Sequence, residues 1–365
     1  MFSKMNLYLL KNFLYSFLIT FVIFALLIFI GDFIEQFRKA TNRDVPIQII
    51  IKLTSYNFLS LTMYTLPVVT FFSSLFTFLY LIRKSELIVV SSSGISLRSI
   101  LVSPIILYFF LGLFFITSLN PLMAIFEDRH SELEYEYINR VDKFASITKN
   151  GIWLKQFNKN NNLSSVLFAK KIEDEGKVLS EFMILEYDEN GSFQGRLDGN
   201  TAILHDGYWK MNKVQISPKF SDPIFEEYFN YQTNINIEDI SDSLSSPMSV
   251  SFWRLGKFID FLENLGYSAT DFKLHYYNLI FLPFLLISLV VLSSSIASNL
   301  KQNDKFFSTF IISFVLIFVV YFTSNLLDAL GSSSQISPLL AKGAMPFLIL
   351  LISIVILKNP KLIGR

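Results

Sequence analysis

Six apolar segments of about 20 residues each alternate with polar stretches along the chain, three before a long central region and three after it. An α-helix needs about 20 apolar residues to cross the hydrocarbon of a bilayer, so each segment predicts a membrane-spanning helix. The predicted spans are Phe13–Phe33, Phe58–Ile82, Ile100–Leu119, Tyr276–Ala297, Phe306–Leu327 and Ala341–Leu357.

The central region has a different pattern, in which short runs of alternating apolar and polar residues follow a charged, helical stalk at Glu127–Arg140. Alternation with period two predicts β-strands, and Asp188–Gly191 and His205–Gly207 have the composition of hairpin turns. Short strands at a spacing of about ten residues favour an antiparallel sandwich or jelly roll. The predicted strands are 151–154, 165–169, 181–187, 201–204, 208–211 and 214–216.

These patterns predict an α-helical membrane protein with six transmembrane helices and an inserted antiparallel, β-jellyroll-like domain. Residues 1–122 would hold the first three spans, residues 123–250 the stalk and the β domain, and residues 251–365 the last three spans. A connector helix is expected before the fourth span, because apolar residues recur there at helical spacing and Gly266 is suited to end a helix. Its apolar positions are Leu255, Phe258, Ile259, Leu262 and Leu265.

The distribution of charge predicts the orientation of the spans. Segments on one side of the membrane carry ten Lys and Arg residues, whereas Glu86 and Asp304 are the acidic residues there. Cytoplasmic loops are enriched in Lys and Arg, so both termini are expected in the cytoplasm and the β domain outside it. In a bacterium this means the inner membrane and the periplasm. The ten cations are Lys4, Lys11, Arg83, Lys84, Arg98, Lys301, Lys305, Lys358, Lys361 and Arg365.

Composition narrows the possible functions further. A net charge of +1 offers no basic face for nucleic acid, and the absence of cysteine excludes disulfides, thiolate catalysis and cysteine-based zinc sites. The three histidines, His130, His205 and His275, form no metal-binding pattern, and the sequence has no phosphate-binding Gly-rich loop. We therefore expect a protein without a cofactor that is not itself an enzyme and hydrolyses no ATP.

The segment Arg83–Arg98 lies between the second and third spans and is too short and too charged to cross a bilayer. Glu86 is its only acidic residue. A lone carboxylate in a basic cytoplasmic segment is suited to pair with an arginine of a partner protein. The alternative is an amphipathic turn that lies at the membrane surface without a special role.

Four stretches, together with the predicted topology, resemble the LptF/LptG permeases of the lipopolysaccharide exporter. The first joins Arg83–Val90 to Gly94-Ile95-Ser96 and is similar to that family's first cytoplasmic loop. The others are Glu35–Ala40, Asn150–Lys155 and Ile336–Ala341, and the first two of these look closer to LptG than to LptF. The resemblance covers essentially the whole chain.

This resemblance implies one half of an ABC transporter that extracts lipopolysaccharide from the inner membrane. The implied partners are a paralogous LptF-type permease, an LptB-type ATPase dimer, a single-span LptC-type protein and an LptA-type periplasmic bridge. By resemblance, Arg83–Arg98 is the coupling helix that docks on the ATPase. Its matching residues are Ser85, Glu86, Leu87, Gly94 and Ser96.

Two further sets of residues are candidates for contact with the lipid. Arg38 and Lys39 follow the outer end of the first span, where they could bind headgroup phosphates or simply anchor the helix. The LptG members carry a lysine six residues before the Arg38 position, and here that position is Asp32. The lipid path through the β domain is expected along its interior. The residues assigned to it are Trp153, Phe168, Phe182 and Ile184.

Two other functions are compatible with the same pattern. A mechanotransmitting ABC permease of the lipoprotein-release type also carries an extracytoplasmic insert, although such proteins normally have four spans. A membrane scaffold that only anchors a β domain would need no ATPase. Association with an ATPase separates the transporters from the scaffold, and crosslinking of the β domain to its lipid cargo separates the two transporters.

Overall fold

The computed structural model describes twelve stretches of the chain, which form two compact units. The first unit comprises residues 1–130, 251–253 and 270–365, and the second comprises residues 131–250 and 254–269. The described residues are 4–41, 43–86, 97–139, 145–148, 151–158, 163–173, 177–188, 191–205, 207–233, 246–264, 268–298 and 306–358.

Six helices in the described residues are long and apolar enough to cross a membrane, which confirms the predicted number of spans. The first two have 37 residues each and extend well beyond the apolar runs that predicted them. The helices are α1 (Lys4–Ala40), α2 (Ile47–Arg83), α3 (Leu97–Phe114), α4 (Asn120–Leu133), α5 (Phe252–Asn264), α6 (Thr270–Ser298), α7 (Phe306–Ser332) and α8 (Pro338–Lys358). The amphipathic α5 confirms the connector helix, whereas its expected final residue, Gly266, lies outside the described residues.

The third span was predicted to end at Leu119, directly before Asn120-Pro121. In the structure the helix continues past these two residues. A π-helical turn at Phe115–Leu119 joins α3 to α4, so one helical rod of 40 residues runs from Ser99 to Ile138. Proline normally breaks a helix because it leaves the carbonyl four residues earlier without a donor. Here that carbonyl, on Thr117, accepts a hydrogen bond from the indole Nε1 of Trp253 at 3.3 Å. The helix therefore continues through the proline.

Helices α2 and α6 form the centre of the first unit. In each of them, two-thirds of the residues in the apolar 18-residue stretch are buried. Small residues let neighbouring helices approach closely. The Ser293 hydroxyl donates to the Ser74 hydroxyl at 2.9 Å, and a Cβ at Gly112 would lie 2.8 Å from the Cα of Pro283. By contrast, only 11% of the residues in the apolar 18-residue stretch of α7 are buried, so most of that helix faces outward.

The second unit contains a seven-stranded antiparallel sheet in which each strand pairs with its neighbours in sequence. This confirms the inserted antiparallel β domain. The pairings of the described strands contain no Greek-key crossover, so the jelly-roll topology itself is not confirmed. The strands are β1 (Ala145–Thr148), β2 (Gly151–Asn158), β3 (Leu163–Glu173), β4 (Val178–Tyr187), β5 (Phe193–His205), β6 (Tyr208–Pro218) and β7 (Ile224–Gln232).

A line of irregular positions crosses strands β3 to β7, and we call it the crease. At each position the backbone pairing that continues on both sides is interrupted. In β4 and β6, buried residues elsewhere recur at every second position, but across the crease they are three apart, as in Leu179 and Phe182 or Met211 and Val214. The crease positions are Lys170, Glu181, Asn200, Lys213 and Glu227, of which Glu181 and Lys213 have positive φ angles of 51° and 54°.

The crease folds the single sheet over its own buried face. The Tyr231 hydroxyl of β7 donates to Oε1 of Glu186 on β4 at 3.0 Å, although among the described strands β7 pairs only with β6. Tyr231 lies in register with Lys177, the residue directly before β4 and nine residues from Glu186, which is about 30 Å in a flat sheet. The contact therefore requires that the two sides of the crease face each other, with the apolar core between them.

The crease also accounts for one error in the predicted strands. The runs 208–211 and 214–216 are one strand, β6, because the break in alternation at Lys213 is a crease position and not a turn. The two edge strands, β1 and β7, were missed for other reasons, since β1 has only four residues and the burial of β7 follows no clear alternation.

Candidate functional site

The segment proposed to couple to a partner begins where α2 ends, at Arg83. The Lys84 amide donates to the Tyr80 carbonyl at 3.0 Å, and the Ser85 amide donates to the Ile82 carbonyl at 2.9 Å. Ser85 has a φ of 56°, the left-handed conformation that commonly closes a helix C-terminus. This turn takes the chain off the α2 axis directly before Glu86.

Glu86 contacts the beginning of α1 in space. The Tyr8 hydroxyl lies 3.0 Å from both Oε1 and Oε2 of Glu86 and donates its single proton to this carboxylate. The contact joins two residues 78 positions apart. Of the predicted coupling residues, Ser85 and Glu86 are therefore placed by the structure, whereas Leu87, Gly94 and Ser96 lie outside the described residues.

The two cations proposed for headgroup binding lie in the last turn of α1, and both are exposed. The Arg38 side chain is 73% exposed and forms two hydrogen bonds to Glu35, at 2.9 Å from Nε and 2.7 Å from Nη2. Cations are favourable at a helix C-terminus because they face the negative end of the helix dipole. Because Glu35 already accepts hydrogen bonds from Nε and Nη2 of Arg38, a phosphate that binds Arg38 would compete with the carboxylate of Glu35.

Asp32, at the position where LptG members carry lysine, does not belong to this exposed cationic turn. Its carboxylate is buried, and Oδ1 accepts hydrogen bonds from Asn57 Nδ2 at 2.8 Å and from Gln36 Nε2 at 3.4 Å. Gln36 Nε2 also lies 3.4 Å from Nε2 of His130 on α4. Asp32 thus tethers α1 to α2 within a buried polar cluster.

A second polar contact between helices lies in the same helical unit. The Ser60 hydroxyl of α2 donates to Oε2 of Glu127 on α4 at 2.6 Å. Sequence reasoning found neither this contact nor the Asp32 cluster, because the contacts that join different helices link residues 25 to 94 positions apart. The one available signal was Asp32 itself, an acidic residue inside the predicted apolar span Phe13–Phe33.

Asp328, which directly follows the predicted fifth span Phe306–Leu327, also has a partner. Its Oδ1 lies 2.7 Å from Nζ of Lys342 on α8, and the side chain of Lys342 is only 15% exposed. The ion pair holds α7 to α8 close to the turn between them. Sequence spacing could not reveal this pairing, because it depends on how the two helices pack.

The four residues assigned to a lipid path lie on opposite faces of the sheet. Phe182 and Ile184 point to the buried face and belong to the apolar core. Trp153 and Phe168 are register partners on β2 and β3, with ring centroids 4.7 Å apart, and they alternate with core residues such as Leu154 and Leu167. The register therefore brings the four together as two pairs and not as one lining.

The interior of the folded sheet is closed by side chains. Its core residues Leu154, Leu167, Trp209 and Met211 have no exposed surface. The Tyr231–Glu186 hydrogen bond lies at its margin, and burial raises the pKa of Tyr231 well above its ordinary value. No cluster of His, Cys, Asp or Glu suited to a metal ion occurs in the described part of the chain.

Comparison with family models gives one match, to "Lipopolysaccharide export system permease LptF/LptG", over residues 7–359. The chain belongs to the LptF/LptG family. Comparison with the curated proteins found no match. The family resemblance inferred from the four sequence stretches is thereby confirmed over nearly the whole chain.

Membership in the LptF/LptG family gives the chain the role of a lipopolysaccharide export permease and places it in the inner membrane as a multi-pass protein. This agrees with six apolar helices and an antiparallel sheet inserted after the third. The matching model covers both LptF and LptG, so the closer likeness to LptG stays a prediction.

Proposed function

We propose that this LptF/LptG-family chain is the permease subunit of an ABC exporter that extracts lipopolysaccharide from the inner membrane. A paralogous LptF-type permease would complete the cavity, and an LptB-type ATPase dimer would supply the energy. The observation that carries this proposal is the family match over residues 7–359 on a chain with six apolar helices and an inserted sheet. An external energy source is needed because burial of each lipid methylene contributes about 0.8 kcal/mol that extraction must overcome.

In this proposal Glu86 receives the ATPase. It directly follows the end of α2, and its carboxylate lies at the surface where a partner arginine can reach it. Helix α2 packs centrally in the first unit, so a displacement of its end would be passed to several other helices. Ser85 supports the role by turning the chain before Glu86.

Arg38 and Lys39 are proposed to contact the headgroup phosphates. Both cations are exposed at the end of α1 opposite to Tyr8, at the height where the charge pattern puts the outer surface of the membrane. Arginine can bind a phosphate through two parallel hydrogen bonds, and release of Glu35 would free Arg38 for this geometry.

The β domain is proposed to accept the acyl chains in the periplasm and pass them to an LptC-type protein and an LptA-type bridge. Two apolar surfaces are candidates. One is the interior between the two sides of the crease, which is closed by side chains and would have to open, and the other is the pair Trp153–Phe168 on the opposite face. The interior is the larger surface and includes Phe182 and Ile184.

Photo-crosslinking tests this proposal and its alternatives together. A photoreactive amino acid at Ile184, Phe168 or exposed Phe225 would be placed in the full chain, co-expressed with its partner permease and ATPase. We expect ATP-dependent crosslinks to lipopolysaccharide from position 184 or 168 and none from position 225. Crosslinks to a lipoprotein would favour a lipoprotein-release permease, and failure to co-purify with any ATPase would favour a scaffold.

A further inference from the structure

Tyr8 on α1 holds the carboxylate that is proposed to receive the ATPase. Its hydroxyl lies 3.0 Å from each carboxylate oxygen of Glu86. We infer that Tyr8 is a positioning residue for ATPase docking, because it fixes the side-chain conformation of Glu86 before the partner arrives. This inference rests on the proposed function and extends it to the first helix.

The hydrogen-bonding capacity of the two groups permits this role. A carboxylate offers about four lone-pair sites, whereas a phenol supplies one proton. Because the Tyr8 oxygen is equidistant from Oε1 and Oε2, it occupies the fork between them and leaves the outer lone pairs of Glu86 for an arginine of a partner. A Glu side chain without such a contact loses conformational entropy when a partner binds it. Because Tyr8 already orders the side chain of Glu86, less entropy is lost when the ATPase docks.

The backbone before Glu86 restricts its position as well. Ser85, with its left-handed φ of 56°, is bonded back to α2, so the chain enters Glu86 at a fixed angle. Tyr8 then holds the side chain from the opposite helix. The carboxylate is thereby tied to the ends of both α1 and α2.

Contact with α1 also gives the docking event a second route into the membrane part. Helix α1 runs without a proline from Lys4 to Ala40, which is about 55 Å at 1.5 Å per residue. Tyr8 lies near its beginning, and Arg38 and Lys39 lie in its last turn. Through Tyr8, displacement of Glu86 would act on the same helix that carries the proposed headgroup contacts.

The test compares Tyr8→Phe with Tyr15→Phe in the complete complex of permeases and ATPase. Tyr15 lies on the same helix and is 66% exposed, so Tyr15→Phe is a control that removes a hydroxyl without removing the contact with Glu86. We expect Tyr8→Phe to weaken ATPase docking about three- to tenfold, the range expected for a partly exposed hydrogen bond to a charged group.

A double-mutant cycle separates positioning from a general structural effect. In a Glu86→Ala background, Tyr8→Phe should cause no further loss of docking, because the bond it removes is already absent. Apparent Tm should stay unchanged in Tyr8→Phe, which confirms that the complex is intact. Docking that is unchanged or tighter in Tyr8→Phe would overturn the inference.

Failure of the proposed function would look different. An unmodified complex that binds no ATPase or releases no lipopolysaccharide contradicts the proposed function itself. An unmodified complex that exports lipid while Tyr8→Phe and Tyr15→Phe dock equally well contradicts only the role of Tyr8.

Discussion

Tyr231 on β7 and Glu186 on β4 are joined by a 3.0 Å hydrogen bond, although two strands, β5 and β6, and a nine-residue offset in register separate them. The bond fastens the two sides of a single folded sheet at their margin. The folded sheet is thereby closed at this margin, and the apolar side chains between its two sides are shielded from water.

Tyr231→Phe should loosen this closure. The substitution leaves a partly buried carboxylate without its phenol donor, which is expected to cost about 1–2 kcal/mol. Hydrogen–deuterium exchange of the full chain should become faster in β3 to β7 and stay unchanged in the membrane helices. Tyr228→Phe, on the same strand and 63% exposed, serves as the control. Equal exchange in both variants would contradict a closing role for Tyr231.

The same bond predicts a response of the β domain to alkaline pH. The pKa of Tyr231 is raised in the folded state above the unfolded value of about 10, chiefly because the phenol is buried. Its stabilisation is therefore fully present below pH 10 and is lost as the pH rises beyond that value. Amide exchange in the β domain, corrected for intrinsic rates, should accelerate above pH 10 in the unmodified protein, and Tyr231→Phe should reduce this dependence.

Gly199→Ala should destabilise the sheet beside the crease. A Cβ at Gly199 would overlap the ring of Phe182, a core residue, so either the ring or the backbone must move. We expect a loss of about 1–3 kcal/mol, as in other overpacked cores. In the same strand, Gly195→Ala would place its Cβ at an ordinary 3.5 Å and is the matched control. Thermal unfolding followed by tryptophan fluorescence measures both, and equal Tm values would contradict the packing.

Asp32→Lys tests whether this position belongs to the headgroup site or to the helix interface. Because Asp32 is buried and accepts a hydrogen bond from Asn57, a lysine there leaves an unpaired buried charge beside a donor. We expect the free energy of unfolding to fall by about 3 kcal/mol or more. Gly31→Lys adds the same charge at the neighbouring exposed position and should be tolerated. Gain of lipid binding by Asp32→Lys without loss of stability would contradict the interface role.

Glu86→Ala should leave folding intact and uncouple ATP hydrolysis from transport. The residue lies at the surface, and its described side-chain hydrogen bonds are to Tyr8 alone, so its removal disturbs no core. The measurement is lipopolysaccharide released per ATP hydrolysed in reconstituted membranes. Unchanged export in this variant would refute the assignment of Glu86 to coupling.

The helices could be predicted from sequence because a run of about 20 apolar residues has few alternatives to a spanning helix. Their ends could not, since the polar extensions of α1 and α2 depend on neighbours. The proline at position 121 predicted a helix end, but Trp253, 132 residues later, supplies the donor that lets the helix continue.

The candidate site was recognisable in its residue types and not in its contacts. Glu86 stands out as the only acid of a basic segment, whereas its partner Tyr8 carries no signal at a distance of 78 residues. In the β domain, alternation identified the strands, but a one-residue slip exchanges the two faces. Phe168 and Phe182 were for this reason assigned to one surface, although the register places them on opposite faces.

The sequential strand order has a consequence for the way the β domain acquires its structure. Each strand pairs with the one just before it, so hairpins can form in the order in which the chain emerges during synthesis. Such local pairing costs little loop-closure entropy and favours rapid folding. The contact between Tyr231 and Glu186 needs the last strand, so closure of the two sides is expected to be the final step. A chain truncated before β7 would expose its apolar core and be prone to aggregation.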